Sequence, residues 1–216
     1  MRKFMFPAFA ACMAAALIVS VVRADHHEGK EAKKADKKMG KGAKVGEAAP
    51  AFTLKDQAGK DVSLADYKGK IVVLEWFNEN CPYVVKFYGS GKMNEWASKY
   101  QGDDIVWLAI NSNNGGTQEK NATVAADWKI ERPLLNDADT KVAKMYGATA
   151  TPHMYVIDAE GKLAYKGAID DKPTAEVSDI EGATNYVAKA VDELKAGTAV
   201  STPETKAYGC GVKYAK

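Results

Sequence analysis

Residues 71–88 read IVVLEWFNENCPYVVKFY. The first seven, Ile71 to Phe77, are apolar except for Glu75 and rich in β-branched and aromatic side chains, the pattern of a strand covered on both faces. Pro82 stands where a first helical residue would. A helix is therefore predicted from Cys81 or Pro82, carrying Val84, Val85, Phe87 and Tyr88, with Gly89-Ser90-Gly91 bending or interrupting it before residues 93–100. Cys81 falls at the junction of buried strand and helix. Unpaired amides and the helix dipole favour an anion there, which lowers the thiol pKa and populates the nucleophilic thiolate.

Working outward, residues 52–54 and 61–63 flank Gln57-Ala58-Gly59-Lys60 and predict a hairpin. Residues 105–110 (IVWLAI) form a second buried strand, followed by a loop over 111–116 and a helix over 117–128. A third helix over 142–146 ends at Gly147, which has the position of a C′ glycine. Residues 153–157 and 163–166 alternate around Asp158-Ala159-Glu160-Gly161 as another hairpin, and residues 175–195 read as one long closing helix. The order ββ, βαβα, ββα predicts an α/β fold: a central mixed sheet flanked by helices, with an N-terminal β-hairpin extension. Residues 197–216 lack a period and hold Cys210 between Gly209 and Gly211, a tail expected to be flexible.

The N-terminus has a different character. Arg2 and Lys3 precede a nearly unbroken apolar run from Phe4 to Val22, and Val22-Arg23-Ala24 places small residues at −3 and −1 of a cleavage site. Residues 1–24 thus read as a cleaved secretory signal, and the protein as periplasmic or secreted. The alternative is an uncleaved anchor, the one route by which this chain would meet a membrane. Residues 25–44, with seven lysines against four acids, read as a solvated linker. Cleavage after Ala24 would leave Asp25-His26-His27 at the mature terminus, an amine, two amides and an imidazole able to wrap Cu(II) or Ni(II) in a square plane. The folded domain is expected over residues 45–196.

Composition narrows the function. With 46% hydrophobic and 27% charged residues and a net charge of +2, the chain is a globular protein with no basic patch suited to nucleic acid. Three cysteines, Cys12, Cys81 and Cys210, are too few for a disulfide scaffold and too dispersed for a zinc or iron–sulfur site. No resident metal or cofactor is called for. If the leader is removed with Cys12, two thiols remain in a compartment where they can be oxidised.

The opening VGEAAPAFTLKDQAGKDVSLADYKGKIVVLEWF, the segment NENCPYV, and GATATPHMYVID with Thr151-Pro152 before a strand together resemble the thioredoxin-fold redoxins. That grouping holds thioredoxins, membrane-anchored cytochrome-maturation proteins and peroxiredoxins. The resemblance covers about residues 45–196. It implies a cis Pro152 whose backbone lies against the reactive cysteine, a nucleophilic role for Cys81, and a buried acid at Glu75. Glu75 is then a proton acceptor or a hydrogen-bonded strand-end carboxylate. The chain also departs from the patterns of the families it resembles. Val84 occupies the second cysteine position of the thioredoxin CxxC, so no thiol lies one turn along the helix to resolve a mixed disulfide. Against the peroxiredoxin pattern Pro-x-x-x-Thr-x-x-Cys, Leu74 replaces the proline and Asn78 the threonine, although Asn78 could still hydrogen-bond a peroxide oxygen. The peroxiredoxin arginine has no counterpart, and Arg132, at a strand edge beside Pro133, reads as a surface residue.

Cys210 is the candidate resolving thiol, travelling to Cys81 on its tail; bonding to another chain and a free thiol are the alternatives. His153 follows Pro152, so if it faces Cys81 it could act as a general base or as a copper ligand; otherwise it is a structural strand residue. Trp76, Trp107, Trp128 and Tyr155 read as core or pocket lining. The expected function is a thiol-dependent oxidoreductase taking a disulfide- or peroxide-bearing substrate and a thiol electron donor. The alternative is a non-catalytic or copper-handling binding module on the same scaffold, using Cys81, His153 and the histidine-bearing terminus.

Overall fold

The computed structural model describes residues 42–102 and 104–215. The leader, and with it the Asp25-His26-His27 copper motif, lies outside these residues. A seven-stranded mixed sheet runs in the order β2-β1-β5-β4-β3-β7-β8. Strand β3 (Ile71–Phe77) sits near its centre, parallel to β4 (Ile105–Asn111) and antiparallel to β7 (His153–Ile157). All seven residues of β3 are buried, as are all seven of β4, which is why both sequences read as continuous apolar runs. The hairpin of β1 (Thr53–Lys55) and β2 (Asp61–Ser63) adds to one edge by pairing with β5 (Leu134–Asn136). The other edge is β8 (Leu163–Gly167).

Alternation along β3 divides the core between the two faces of the sheet. Val73 and Phe77 pack in one layer with Trp107, Met154 and Tyr165. Helices α1 (Pro82–Gly89), α2 (Lys92–Tyr100) and α5 (Tyr186–Lys195) add Phe87, Tyr100 and Val191 to that layer. Val72, Leu74 and Trp76 face the opposite layer with Leu108, Tyr155 and, from α4 (Lys141–Tyr146), Val142 and Tyr146. Trp76 and Trp107 are among the largest fully buried side chains, as expected of core aromatics. A fifth helix, α3 (Gln118–Asp127), connects β4 to β5. Gly147 ends α4 in a left-handed conformation, as its position predicts.

Three expectations are corrected. Residues 175–195 are not one helix: a 3-10 turn at Val177–Ile180 is separated from α5 by Gly182, at φ 75°, and by Asn185, whose side chain accepts from the Ala188 N–H and starts the helix afresh. The arm assigned to residues 25–44 is already part of the fold by Ala43, which is buried and donates its N–H to Tyr146 O at 3.2 Å. The tail beyond residue 196 is not a loose end. Cys210–Gly211 forms a strand, β9, antiparallel to β6 (Ala150–Thr151).

Candidate active site

Cys81 caps the N-terminus of α1 with an extended backbone (φ −90°, ψ 117°), and Pro82 is the first helical residue. The preceding turn is shaped by Asn78, whose Oδ1 accepts from Asn80 N–H at 2.9 Å and whose carbonyl accepts from Cys81 N–H at 3.1 Å. Asn78 is thus occupied in placing the cysteine, in an Asx turn of the kind short amide side chains form. The Thr151-Pro152 peptide is cis, and the Cys81 thiol donates to Thr151 O at 2.9 Å.

The same threonine carries the tail. Thr151 pairs with Cys210 across the β6–β9 ladder, and its hydroxyl donates to Cys210 O at 3.3 Å. Both cysteines are free thiols, Cys81 only 1% exposed and Cys210 half-buried. Cys210 stands close enough to the Cys81 thiol to influence its ionisation. Burial opposes ionisation of Cys81, yet hydrogen bonds from the Cys210 thiol, the Thr151 side chain and the backbone N–H groups of Cys210 and Val84 together hold its pKa below that of an ordinary thiol. Burial, the hydrogen bond given to Cys81 and the neighbouring thiolate charge push Cys210 up to about 11. The two thiols are thus shifted in opposite directions, Cys81 toward the thiolate and Cys210 toward the protonated form.

The tail holds this geometry from both sides of Cys210. Upstream, Thr205 accepts from Ala168 N–H at 2.9 Å and shares a 2.6 Å hydrogen bond with Tyr165 OH. Tyr208 OH donates to the buried Asp170 Oδ1 at 2.5 Å, while its ring packs edge-on against Tyr83 at 5.8 Å. Downstream, Val212 N–H reaches Thr149 O, Tyr214 OH donates to Ala148 O, and Ala215 N–H reaches Thr140 Oγ1 at 3.0 Å. Gly209 lies so close to the cis-proline loop that a Cβ there would stand 2.0 Å from Thr151 O, and its φ of 128° excludes a side chain independently. These anchors are not visible as periodicity; the glycine beside Cys210 was their one sequence signal.

Glu75 is not a strand-end residue. It lies within β3, opposite Ala109 and Met154, with no exposed surface. Its carboxylate accepts from Tyr88 OH (2.8 Å), Trp107 Nε1 (3.1 Å) and Arg132 Nη2 (3.1 Å). Arg132 is correspondingly not a surface residue: its side chain is 3% exposed and also donates to Asn94 Oδ1 at 2.9 Å and Tyr88 OH at 2.6 Å. Burial beside the Glu75 carboxylate pushes the Tyr88 phenol well above its ordinary value and keeps it a donor. A buried pair this well hydrogen-bonded is retained as a unit, because stranding either charge costs about 3–5 kcal/mol. Glu75 is therefore a buried, ion-paired carboxylate whose two oxygens are held by Tyr88, Trp107 and Arg132.

His153 faces away from the cysteine. Its ring stacks on Tyr155, 4.5 Å between centroids, and Nδ1 accepts from Thr149 N–H at 3.2 Å. Tyr155 belongs to the layer opposite Cys81, and alternation along β7 puts His153 on that side too. The ring lines a cavity of about 310 Å³ together with Thr149 and Lys166. Among the described residues, no three His, Cys, Asp or Glu side chains gather to hold a metal ion.

A cysteine at a strand–helix junction, facing a cis Thr-Pro loop on a mixed sheet, defines a thioredoxin-like fold of the oxidoreductase class. Residues 45–166 match the AhpC/TSA family, and the chain belongs to it. It is 30% identical to the thiol-disulfide oxidoreductase ResA of Bacillus cereus (strain ATCC 10987 / NRS 248) over 55% of this chain, and the match spans 66% of that relative's length, just under two thirds. A peroxiredoxin-like protein of Mycobacterium tuberculosis is 30% identical over 67% of this chain and 90% of its own. A solved hypothetical protein from Sinorhizobium meliloti 1021 superimposes with a TM-score of 0.71 at 28% identity, covering 80% of this chain and 95% of that one.

Proposed function

We propose that this protein is an exported thiol-dependent oxidoreductase in which Cys81 is the nucleophile and Cys210 the resolving thiol. The observation that carries the reading is the shared use of Thr151, whose carbonyl accepts from Cys81 while its backbone pairs with Cys210. With a hydroperoxide ROOH, the Cys81 thiolate takes one oxygen and releases the alcohol, giving a sulfenic acid. The Cys210 thiol then displaces water and leaves a Cys81–Cys210 disulfide. With a disulfide substrate, the Cys81 thiolate displaces one substrate thiolate and Cys210 displaces the other. Two electrons leave the protein thiols in either case, and an external thiol donor returns them. Export rests on the leader at residues 1–24.

Stopped-flow mixing of the reduced protein with hydrogen peroxide, and separately with a small aromatic disulfide, tests this. Tryptophan fluorescence is expected to change with at least one oxidant and to stay flat in Cys81→Ser. Cys210→Ser should react once and stop at the sulfenic acid or mixed disulfide, without the loss of two thiols. If neither oxidant gives a Cys81-dependent reaction, the chain is a binding module.

A further inference from the structure

The tail that carries Cys210 runs over the fold as a strap, held upstream by Thr205 and Tyr208 and downstream by Ala215. Its upstream half, with the segment after β8 and the start of α5, encloses a cavity of about 350 Å³. Neither cysteine lines it.

The cavity has two unlike parts. Ala168, Pro173 and Ala207, with Tyr186 and Tyr208, give it an apolar and aromatic wall, while Asp170 and Asp171 bring carboxylates. Asp170 is 1% exposed. Its Oδ1 is filled, accepting from Tyr208 OH and from Lys172 N–H at 2.9 Å, whereas its Oδ2 has no hydrogen-bond partner among the described residues. A buried carboxylate oxygen is costly to leave without a donor, so one left at the wall of a cavity calls for a donor from outside the chain.

Charge sets the sign of that donor. Residues 170–181 hold five acids against one lysine, and the buried Lys86 ammonium beside them is taken up by the carbonyls of Lys172 and Thr174. A cation is favoured, and geometry selects among cations. A calcium ion takes six to eight oxygens, where this wall offers one free carboxylate oxygen amid carbon. A guanidinium grips a carboxylate as a fork through both oxygens, and here Oδ1 is already occupied. An ammonium needs a single oxygen, its methylene stem suits the apolar wall, and its charge is attracted to aromatic faces such as those of Tyr186 and Tyr208.

We propose that this cavity binds an alkylammonium group, with Asp170 Oδ2 as its acceptor. A small free amine and a lysine side chain of a polypeptide both carry that group. Either would lie beside the two thiols, because Tyr208 is two residues before Cys210 and its ring meets that of Tyr83, two residues after Cys81. Binding requires no redox step and stands apart from the function proposed above.

The reduced full chain is titrated with cadaverine and, separately, with the N-acetyl methylamides of lysine, norleucine and arginine, while the ring resonances of Tyr186 and Tyr208 are followed by NMR. Saturable shifts are expected with cadaverine or the lysine amide, and the norleucine and arginine amides should bind about tenfold more weakly or worse. Saturation by cadaverine alone identifies a free amine as the ligand, and by the lysine amide alone a polypeptide. Asp170→Asn keeps an acceptor for Tyr208 OH and should weaken binding of the ammonium compound about tenfold. Lys206→Ala removes a like charge from the cavity wall and should tighten it severalfold. No saturable shift with either ammonium compound would overturn the proposal, and so would equal affinity for the norleucine or arginine amide. Unchanged affinity in Asp170→Asn or, where that variant does not fold, in Lys206→Ala would overturn it as well.

Discussion

His153 is a neutral base inside the fold: burial, and then the nearby Lys166 charge, lower its pKa from 6.5 to about 4. The sign of its effect on stability follows from proton counting. A base that binds its proton more weakly folded than unfolded favours the unfolded state once the medium supplies protons, so its contribution is intact above pH 6.5 and is lost as pH falls toward 4. At about 1.4 kcal/mol per tenfold change in proton affinity, the loss approaches roughly 3 kcal/mol. His153→Gln keeps an acceptor for Thr149 N–H and does not titrate. Urea unfolding of both proteins between pH 7 and 4 should show the unaltered protein losing more stability than the variant, and parallel curves would refute the assignment. Single residues were unevenly legible in the sequence. Cys81 announced itself because neighbours in the chain, a buried strand before it and Pro82 after it, set it at a helix start; Cys210 and Thr151, which lower its pKa, lie far along the sequence and left no such sign. Arg132 did not, since its partners Glu75, Tyr88 and Asn94 are remote in sequence and its immediate neighbours Glu131 and Pro133 are those of a surface turn.

Helix α1 and strands β3 and β4 follow from local patterns, apolar runs and a proline at the first helical position, and they appear within a residue or so of where the sequence puts them. Strand β9 could not be read this way. It is two residues long, held by backbone pairing, by the Tyr208 hydroxyl on Asp170 and by the Ala215 N–H on Thr140, and none of this leaves a period. Flanking glycines suggested mobility where Gly209 in fact permits close approach. A second glycine has the same role at the upstream end of the strap. A Cβ on Gly167 would stand 2.2 Å from Thr205 Oγ1, at a φ of 147°. Gly167→Ala is expected to push Thr205 out, break its hydrogen bonds to Ala168 and Tyr165, and cost about 1–3 kcal/mol. Hydrogen exchange should accelerate in the amides of residues 205–212, and alkylation of Cys81 by iodoacetamide should quicken as its cover loosens. Unaltered rates in both would show that Thr205 does not hold the strap.

At the scale of the whole molecule, the two thiols are far apart in sequence and converge on Thr151, whose carbonyl accepts from Cys81 and whose backbone pairs with Cys210. A Cys81–Cys210 disulfide would close a loop of more than a hundred residues. Closing a loop of that size restricts the unfolded chain by about 4.7 kcal/mol in the chain-entropy model. The folded state gives up little in return, because the segment carrying Cys210 is already ordered by its own hydrogen bonds and Cys210 already pairs with Thr151, whose carbonyl accepts from Cys81. Most of the unfolded-state restriction should therefore survive as net stability, a rise in Tm on the order of 10 °C for a chain of this length. The effect separates an ordered strap from a flexible tail, since a tail that had to be ordered on oxidation would surrender part of the gain as conformational entropy. Calorimetry of the diamide-oxidised and dithiothreitol-reduced protein measures the difference, and Cys210→Ser, in which the loop cannot close, should melt at one temperature under both treatments. Equal melting temperatures for the two states, with the disulfide verified by mass, would mean that the strap is not held in place in the reduced protein.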